Sequence, residues 1–291
     1  MKFLSKPLPS RVWLYQNTLI AILVAGLVVQ SEAASVTIGA RNTSMQIDLA
    51  GGITQWTIGG VNQLNLQTFY YSVDTGPATS IYTLGLVSGP TLTTNISKTI
   101  VSLDATYADS TISVGTLFSL QSSPIGSAKA TLTQTYTINN LLTTAQVFHF
   151  YQYSDFDLGG ASGDQNVQFY DNGSGEYYQV VQTATSGTIL TGLVTGVTGG
   201  VSAQSEVQAG FYDGNQFGLG SGNPVTLDNT LTAGVGNVVY AYQWDVLLAP
   251  GASLTISEIQ TVVPEPSSMT LVASGVLALT WVWRRRSRRT T

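Results

Sequence analysis

The sequence predicts an all-β protein, an antiparallel β-sandwich over residues 34–262 with one short apolar segment before it and one after it. Three observations predict this. Apolar and polar residues alternate with period two across several windows, the mark of half-buried strands. Glycine pairs at Gly51-Gly52, Gly59-Gly60, Gly159-Gly160 and Gly199-Gly200 punctuate those windows, as turns between short strands require. No stretch between residues 34 and 263 keeps a helical apolar period for more than two turns. The middle region contains no Pro/Ser linker and no repeat period, so a single domain is expected.

The chain begins with a secretory signal pattern. Lys2, Lys6 and Arg11 form a basic segment, and Leu19 to Val29 is an apolar run of 11 residues, too short to span a bilayer. Ser31-Glu32-Ala33 places small residues at the positions a signal peptidase reads, so cleavage is expected after Ala33. Residues 1–33 are therefore assigned to a signal peptide helix that hands the chain to the Sec export machinery.

The strands follow in order. Ile112, Val114, Thr116, Phe118 and Leu120 share one phase. Ala130, Leu132, Tyr136 and Ile138 face one way, and Lys129, Thr131, Thr133, Thr135 and Thr137 face the other. Val238, Tyr240, Tyr242, Trp244, Val246 and Leu248 form the strongest alternation. Ala249-Pro250-Gly251 is then expected to turn that strand back into Ser253–Val262 as a hairpin. Residues 186–202 are rich in Gly, Thr and Val and weakly patterned, which predicts a loose hairpin or an insertion.

The C-terminal segment, residues 263–291, has three parts. Pro264-Glu265-Pro266 cannot continue a strand and favours an extended link. Residues 267–283 are predicted to form a transmembrane helix about 25 Å long, with Trp281 and Trp283 at its interfacial end. The tail at 284–291 carries Arg284, Arg285, Arg286, Arg288 and Arg289, which stop transfer and hold that end in the cytoplasm.

Charge follows this division. Of 11 Lys and Arg residues, only Arg41, Lys98 and Lys129 lie between residues 34 and 263. Against 14 acidic residues there, they leave a net charge of −11. Nucleic acid is excluded as a partner, because nothing provides a basic footprint for phosphates. The absence of cysteine excludes disulfides, thiol nucleophiles, thiolate metal sites and a thioether lipid anchor. With His149 as the one histidine, a metal would have to be an oxygen-liganded cation such as Ca²⁺.

The order Pro-Glu-Pro, short apolar span and arginine cluster closely resembles the PEP-CTERM sorting signal of exported bacterial proteins. The resemblance implies an exosortase, a membrane transpeptidase that recognises the Pro-Glu-Pro region, as partner. It also implies a Gram-negative source and a setting of exopolysaccharide, biofilm or floc. A second, more diffuse resemblance rests on Gly51-Gly52-Ile53-Thr54-Gln55-Trp56, the strands at 130–153 and the Trp244 strand leading into Pro250-Gly251. This order is similar to that of large supersandwich domains of carbohydrate-active proteins.

Candidate site residues are few. His149 lies in an aromatic strand without a visible partner, so a structural role is expected. Asp155, Asp157 and Asp164 flank a glycine-rich loop and form the candidate Ca²⁺ set, although their spacing matches no EF-hand. Asp171-Asn172-Gly173 has the character of a turn. The 14 tyrosines cluster at Tyr70-Tyr71, Tyr151/Tyr153, Tyr177-Tyr178 and Tyr240/Tyr242, and are expected mainly in the core. No nucleophile elbow is present. The expected function is therefore that of an exported surface or matrix protein without catalytic activity and without an obligatory cofactor. The alternatives are a carbohydrate-binding module of the exopolysaccharide matrix and a glycan-active enzyme on a supersandwich.

Overall fold

A computed structural model describes residues 34–123, 129–173, 176–199 and 201–263. The predicted signal peptide with Ala33, and the tail with Pro264, Glu265, Pro266, the 267–283 span and its arginines, lie outside the described residues. Among the described residues no helix is long and apolar enough to cross a membrane.

Among the described residues, eighteen strands carry the fold. They are β1 (Ser35–Ala40), β2 (Thr43–Asp48), β3 (Gly52–Ile58), β4 (Val61–Asn62), β5 (Leu66–Val73) and β6 (Thr79–Ser80). Then come β7 (Gly85–Thr94), β8 (Ile100–Ala108), β9 (Ile112–Ser122), β10 (Ala130–Asn140), β11 (Gln146–Asp155) and β12 (Gln165–Asp171). The last are β13 (Tyr177–Ala184), β14 (Ile189–Thr198), β15 (Val201–Phe211), β16 (Thr232–Gly236), β17 (Val238–Leu248) and β18 (Ser253–Val263). They form two nine-stranded antiparallel sheets. The first runs β1-β2-β3-β5-β11-β17-β15, with β4 on β3 and β6 on β5. The second runs β16-β12-β13-β14-β18-β10-β9-β8-β7.

The core lies between the sheets and is dominated by aromatic rings. Phe69 of β5 meets Tyr136 of β10 across the sandwich with ring centroids 4.7 Å apart. Tyr136 meets Phe150 at 5.3 Å, and Phe150 meets Trp244 at 6.0 Å. Large rings with two soft torsions bury much surface for little lost rotamer freedom, which suits a sandwich this wide. The alternation read for β9, β10 and β17 places the expected residues inward.

The turn at Ala249-Pro250-Gly251 is not a hairpin. β17 belongs to the first sheet and β18 to the second, so the chain arches across the sandwich. Asn140 at the end of β10 holds the arch. Its Nδ2 donates to the carbonyls of Leu248 at 2.9 Å, Ala249 at 3.2 Å and Thr144 at 2.9 Å. Its own carbonyl accepts from Gly251 N at 3.0 Å. Residues 186–202 likewise form neither a loose hairpin nor an insertion. β14 and β15 lie in different sheets, joined by an arch at Gly199. A Cβ on Gly199, whose φ is +95°, would sit 2.0 Å from the Ser253 carbonyl oxygen. The two arches therefore touch, and only glycine fits between them.

Candidate functional site

Chemistry concentrates in two places, one on the outside of the first sheet and one inside the sandwich. The outer face is made by alternate residues of three adjacent strands: Tyr70 and Ser72 on β5, His149, Tyr151, Tyr153 and Asp155 on β11, and Gln243 and Asp245 on β17. Residues 212–231, between β15 and β16, fold over part of this face. Leu219, Phe217 and Val225 from this segment pack on Tyr70, Tyr151, Tyr153 and Val239 as a second, smaller apolar cluster. The Tyr151 hydroxyl donates to Val225 O at 2.8 Å, and Leu227 N donates to Gln243 Oε1 at 2.9 Å. The segment is conformationally demanding, with Gln216 at φ +49° and Phe217 at φ +58°. Non-glycine residues seldom occupy that region, and when they do the site is often functional.

Beside this cover lies a surface cavity of about 350 Å³, walled by Tyr70 and by residues 214–216 and 219–221 of the covering segment. The Tyr70 hydroxyl donates to Gln216 Oε1. Gly220 lies against the Tyr70 ring, where a Cβ would come within 3.3 Å of it. The lining residues are Tyr70, Leu219, the amides Asn215 and Gln216, Ser221 and two glycines, with no charged residue.

His149 sits beyond the cover, and both its ring nitrogens are engaged. Nδ1 lies 2.5 Å from Asp245 Oδ1, and Nε2 lies 2.9 Å from the Asp74 carbonyl oxygen. Both partners are acceptors, an arrangement that favours the ring protonated on both nitrogens. The Asp245 hydrogen bond holds the His149 pKa above its ordinary value. Gln243 Nε2 donates to Asp245 Oδ1 at 2.9 Å, which fixes the carboxylate. Burial and the neighbouring Asp245 raise the Glu206 carboxyl, which completes this group. The partner that the sequence did not show is a carboxylate across the strand.

The candidate calcium carboxylates are engaged separately. Asp155 is buried and accepts from Asn65 Nδ2 at 2.8 Å, and burial lifts its pKa to about 6. Asp157 is also raised by burial. Asp164 accepts from the Thr185 hydroxyl at 2.8 Å. Among the described residues no three carboxylate or imidazole groups come together in a way that would hold a metal. Asp171 and Asn172 serve their own turn, with Gly173 N donating to Asp171 Oδ1 at 3.0 Å.

The second concentration is internal and centres on Glu258 of β18. Glu258 is fully buried between the sheets. Gln152 Nε2 donates to its Oε2 at 2.7 Å and Gln260 Nε2 to its Oε1 at 3.2 Å. Burial outweighs both bonds and pushes the carboxyl up to about 7. Gln134 lies opposite Glu258 in register, and Gly192 leaves the space that its Oε1 fills. The band has polar atoms to spare. Gln152 Oε1, Gln260 Oε1, Gln134 Nε2, Tyr242 Oη and Trp244 Nε1 are buried without a protein partner. Buried polar atoms of this kind are sites for internal water.

The family model for the PEP-CTERM protein-sorting motif matches residues 262–286. The chain is thus an exported protein sorted to the cell envelope, and the motif implies exosortase-mediated sorting. No curated protein sequence matches it. Among solved structures, a bacterial glucoamylase complexed with acarbose is similar at a TM-score of 0.51 and 10 % identity. That match covers 86 % of this chain and 36 % of the glucoamylase, so this chain spans about a third of it. A galactose mutarotase-like protein from Lactobacillus casei ATCC 334 gives a TM-score of 0.45 at 7 % identity, covering 79 % of this chain and 100 % of that one. The Slr1438 protein from Synechocystis sp. PCC 6803 gives 0.45 at 9 % identity, covering 80 % and 97 %. At such identities the glucoamylase similarity bears on the fold alone.

Proposed function

We propose that this chain is an exported surface or extracellular-matrix protein whose β-sandwich ectodomain works by binding and not by catalysis. The observation that carries this reading is the sorting motif at residues 262–286, which overlaps the end of the last strand. In this reading the Sec machinery exports the chain, the signal peptide is cut after Ala33, and residues 267–283 hold it in the cytoplasmic membrane until exosortase processing. A histidine acting as general base needs a free nitrogen, and both nitrogens of His149 are engaged with acceptors, which speaks against this ring in that role. Replacing Pro264, Glu265 and Pro266 together with alanine should leave the tail uncut. If mass spectrometry of the mature protein shows the same mass as the original chain, the processing reading is wrong.

A second reading has its own observation. The cavity of about 350 Å³ beside Tyr70 is uncharged and offers amide and hydroxyl donors around one aromatic ring, which suits a short neutral glycan. A glycan array with the original chain and with Tyr70→Ala tests it. Binding that survives Tyr70→Ala, or no binding to any oligosaccharide, rejects that cavity as the site.

A further inference from the structure

The outer face of the second sheet is a different kind of surface. Thr131, Thr133, Thr135 and Thr137 stand in a column on β10, half-buried by one another and directed away from the core. Thr255, Ser257 and Thr261 on the neighbouring β18 answer them in register. The hydroxyls pair across the strands, Thr131 with Thr261 at 3.3 Å, and Thr135 with Ser257 and Thr137 with Thr255 at 3.5 Å each. On the other side Ser102 and Ser119 pair at 2.7 Å, and Asn139 Nδ2 donates to Ser113 at 2.8 Å. Leu117 and Ile259 set apolar surface among the hydroxyls. Among the described residues, β10 and β18 have substantial contacts only with their neighbours in the sandwich, and no further element lies over this face.

The face is continuous over β7, β8, β9, β10, β18 and β14. With strands about 4.8 Å apart and same-face residues about 6.8 Å apart, it measures about 24 Å by about 27 Å. These six strands contain two charged residues, Asp104 and Glu258, and Glu258 points into the core. The body of the chain carries a net −11, yet this face carries only Asp104 and, just before β10 in the phase of the threonines, Lys129.

We propose that this face binds an extended neutral polysaccharide lying across the threonine columns, at a site separate from the cavity beside Tyr70. Three features select that occupant. A charged polymer of either sign finds no matching array of opposite charge on this face, which offers only Asp104 and, at the end of the β10 column, Lys129. Each hydroxyl in the columns keeps donor or acceptor capacity after its cross-strand bond, and the threonine methyls offer the apolar contact that sugar C–H groups need. β-branched side chains fixed on strands have little rotamer freedom left to lose on binding. The face carries no stacking ring within the columns, so each sugar unit contributes little, and affinity must come from many units bound at once.

That gives the test a signature of its own, which is dependence on polymer length. The full chain in detergent is sedimented with microcrystalline cellulose and run through gels containing a long neutral dextran. Cello- and malto-oligosaccharides of three units serve as competitors. Retention by at least one neutral polymer is expected, with no displacement by the short sugars. The variant with Thr131, Thr133, Thr135 and Thr137 all replaced by valine keeps strand propensity and should bind roughly tenfold more weakly or worse. The matching serine variant, which keeps the hydroxyls and loses the methyls, should bind more tightly than the valine variant and more weakly than the original chain. The proposal is overturned if no neutral polymer retains the chain, if trisaccharides displace the polymer, or if a folded valine variant binds as well as the original. It is also overturned if the valine change dissolves a concentration-dependent dimer while polymer binding is absent, which would assign the face to a second copy. If the valine variant does not fold, the length dependence on the original chain still decides. Short sugars that bind while no polymer is retained would uphold the Tyr70 cavity and refute this face.

Discussion

Replacing Glu258 with glutamine removes a carboxyl from the centre of the sandwich while keeping its shape. In the fold the carboxyl is pushed from 4.5 up to about 7, because burial disfavours its charged form more than two amide donors favour it. A tenfold change in proton affinity is worth about 1.4 kcal/mol, so the ionised form costs the fold about 3 kcal/mol. The sign follows from the direction. Stability from the neutral carboxyl is present in full below pH 4.5, declines as pH rises, and is lost once pH passes about 7. The glutamine side chain never ionises. Its extra donor has acceptors at hand, because Gln152 Oε1 and Gln260 Oε1 are buried without partners. Urea unfolding of Glu258→Gln and of the original chain from pH 5 to pH 8.5 reads the difference directly. The two curves should separate as pH rises, with the variant gaining about 2.5 kcal/mol relative to its position at pH 5. For a domain of this size that is about 1 M in urea midpoint. Asp155 titrates in the same window but is present in both proteins, so it cancels in the comparison. Parallel curves would show that Glu258 keeps an ordinary pKa, and the account of the buried band would then be wrong.

Three further outcomes follow from the same structure. His149→Gln should cost about 1 kcal/mol near pH 6; because the histidine pKa is raised in the fold, that cost is full below 6.5 and fades as pH climbs through the raised value, which thermal unfolding at pH 6 and pH 9 will show. Asn140→Ala removes the donor shared by three carbonyls, and Gly199→Ala drives a Cβ into the Ser253 carbonyl; each should lower stability by about 2 kcal/mol or more, and a loss under 0.5 kcal/mol from either would mean the arches are not fixed this way. Calorimetric titration with Ca²⁺ should give a flat trace, since Asp155 and Asp164 hold Asn65 and Thr185 instead; a saturable heat would contradict the arrangement seen.

Much of the architecture was legible in the sequence because alternation is a local property. The phase of β9, β10 and β17 could be read residue by residue. Which sheet a strand joins could not, because that depends on partners far along the chain. One local sign was available. The outward residues of β17 begin with Val239 and Ala241, whereas those of β18 begin with Ser253, Thr255 and Ser257. Two strands of one hairpin share one outer environment, and these do not: the segment at 212–231 covers the first and leaves the second bare. That segment is rich in glycine, and Phe217, Leu219, Val225 and Leu227 within it were signals that it packs against something. Glu258 was visible too. It falls in phase with Leu254, Ile256 and Val262, as Gln134 does with Leu132 and Tyr136, so an inward carboxylate followed from the same rule that found the core. The pairing of His149 with Asp245 was not visible, because 96 residues separate them and only the register of β11 on β17 brings them together.

The position of β18 also has a mechanical meaning. It is the last described strand, the sorting motif begins at its residue 262, and it lies between β10 and β14 with backbone pairing along both edges. Tension applied through the C-terminal side of the chain therefore enters the fold along the axis of an interior strand. Its cross-strand hydrogen bonds, perpendicular to that pull, are loaded together in shear and cannot open one at a time from an edge. A protein held at this end while its surface grips a polymer would resist extraction at the point where the load arrives.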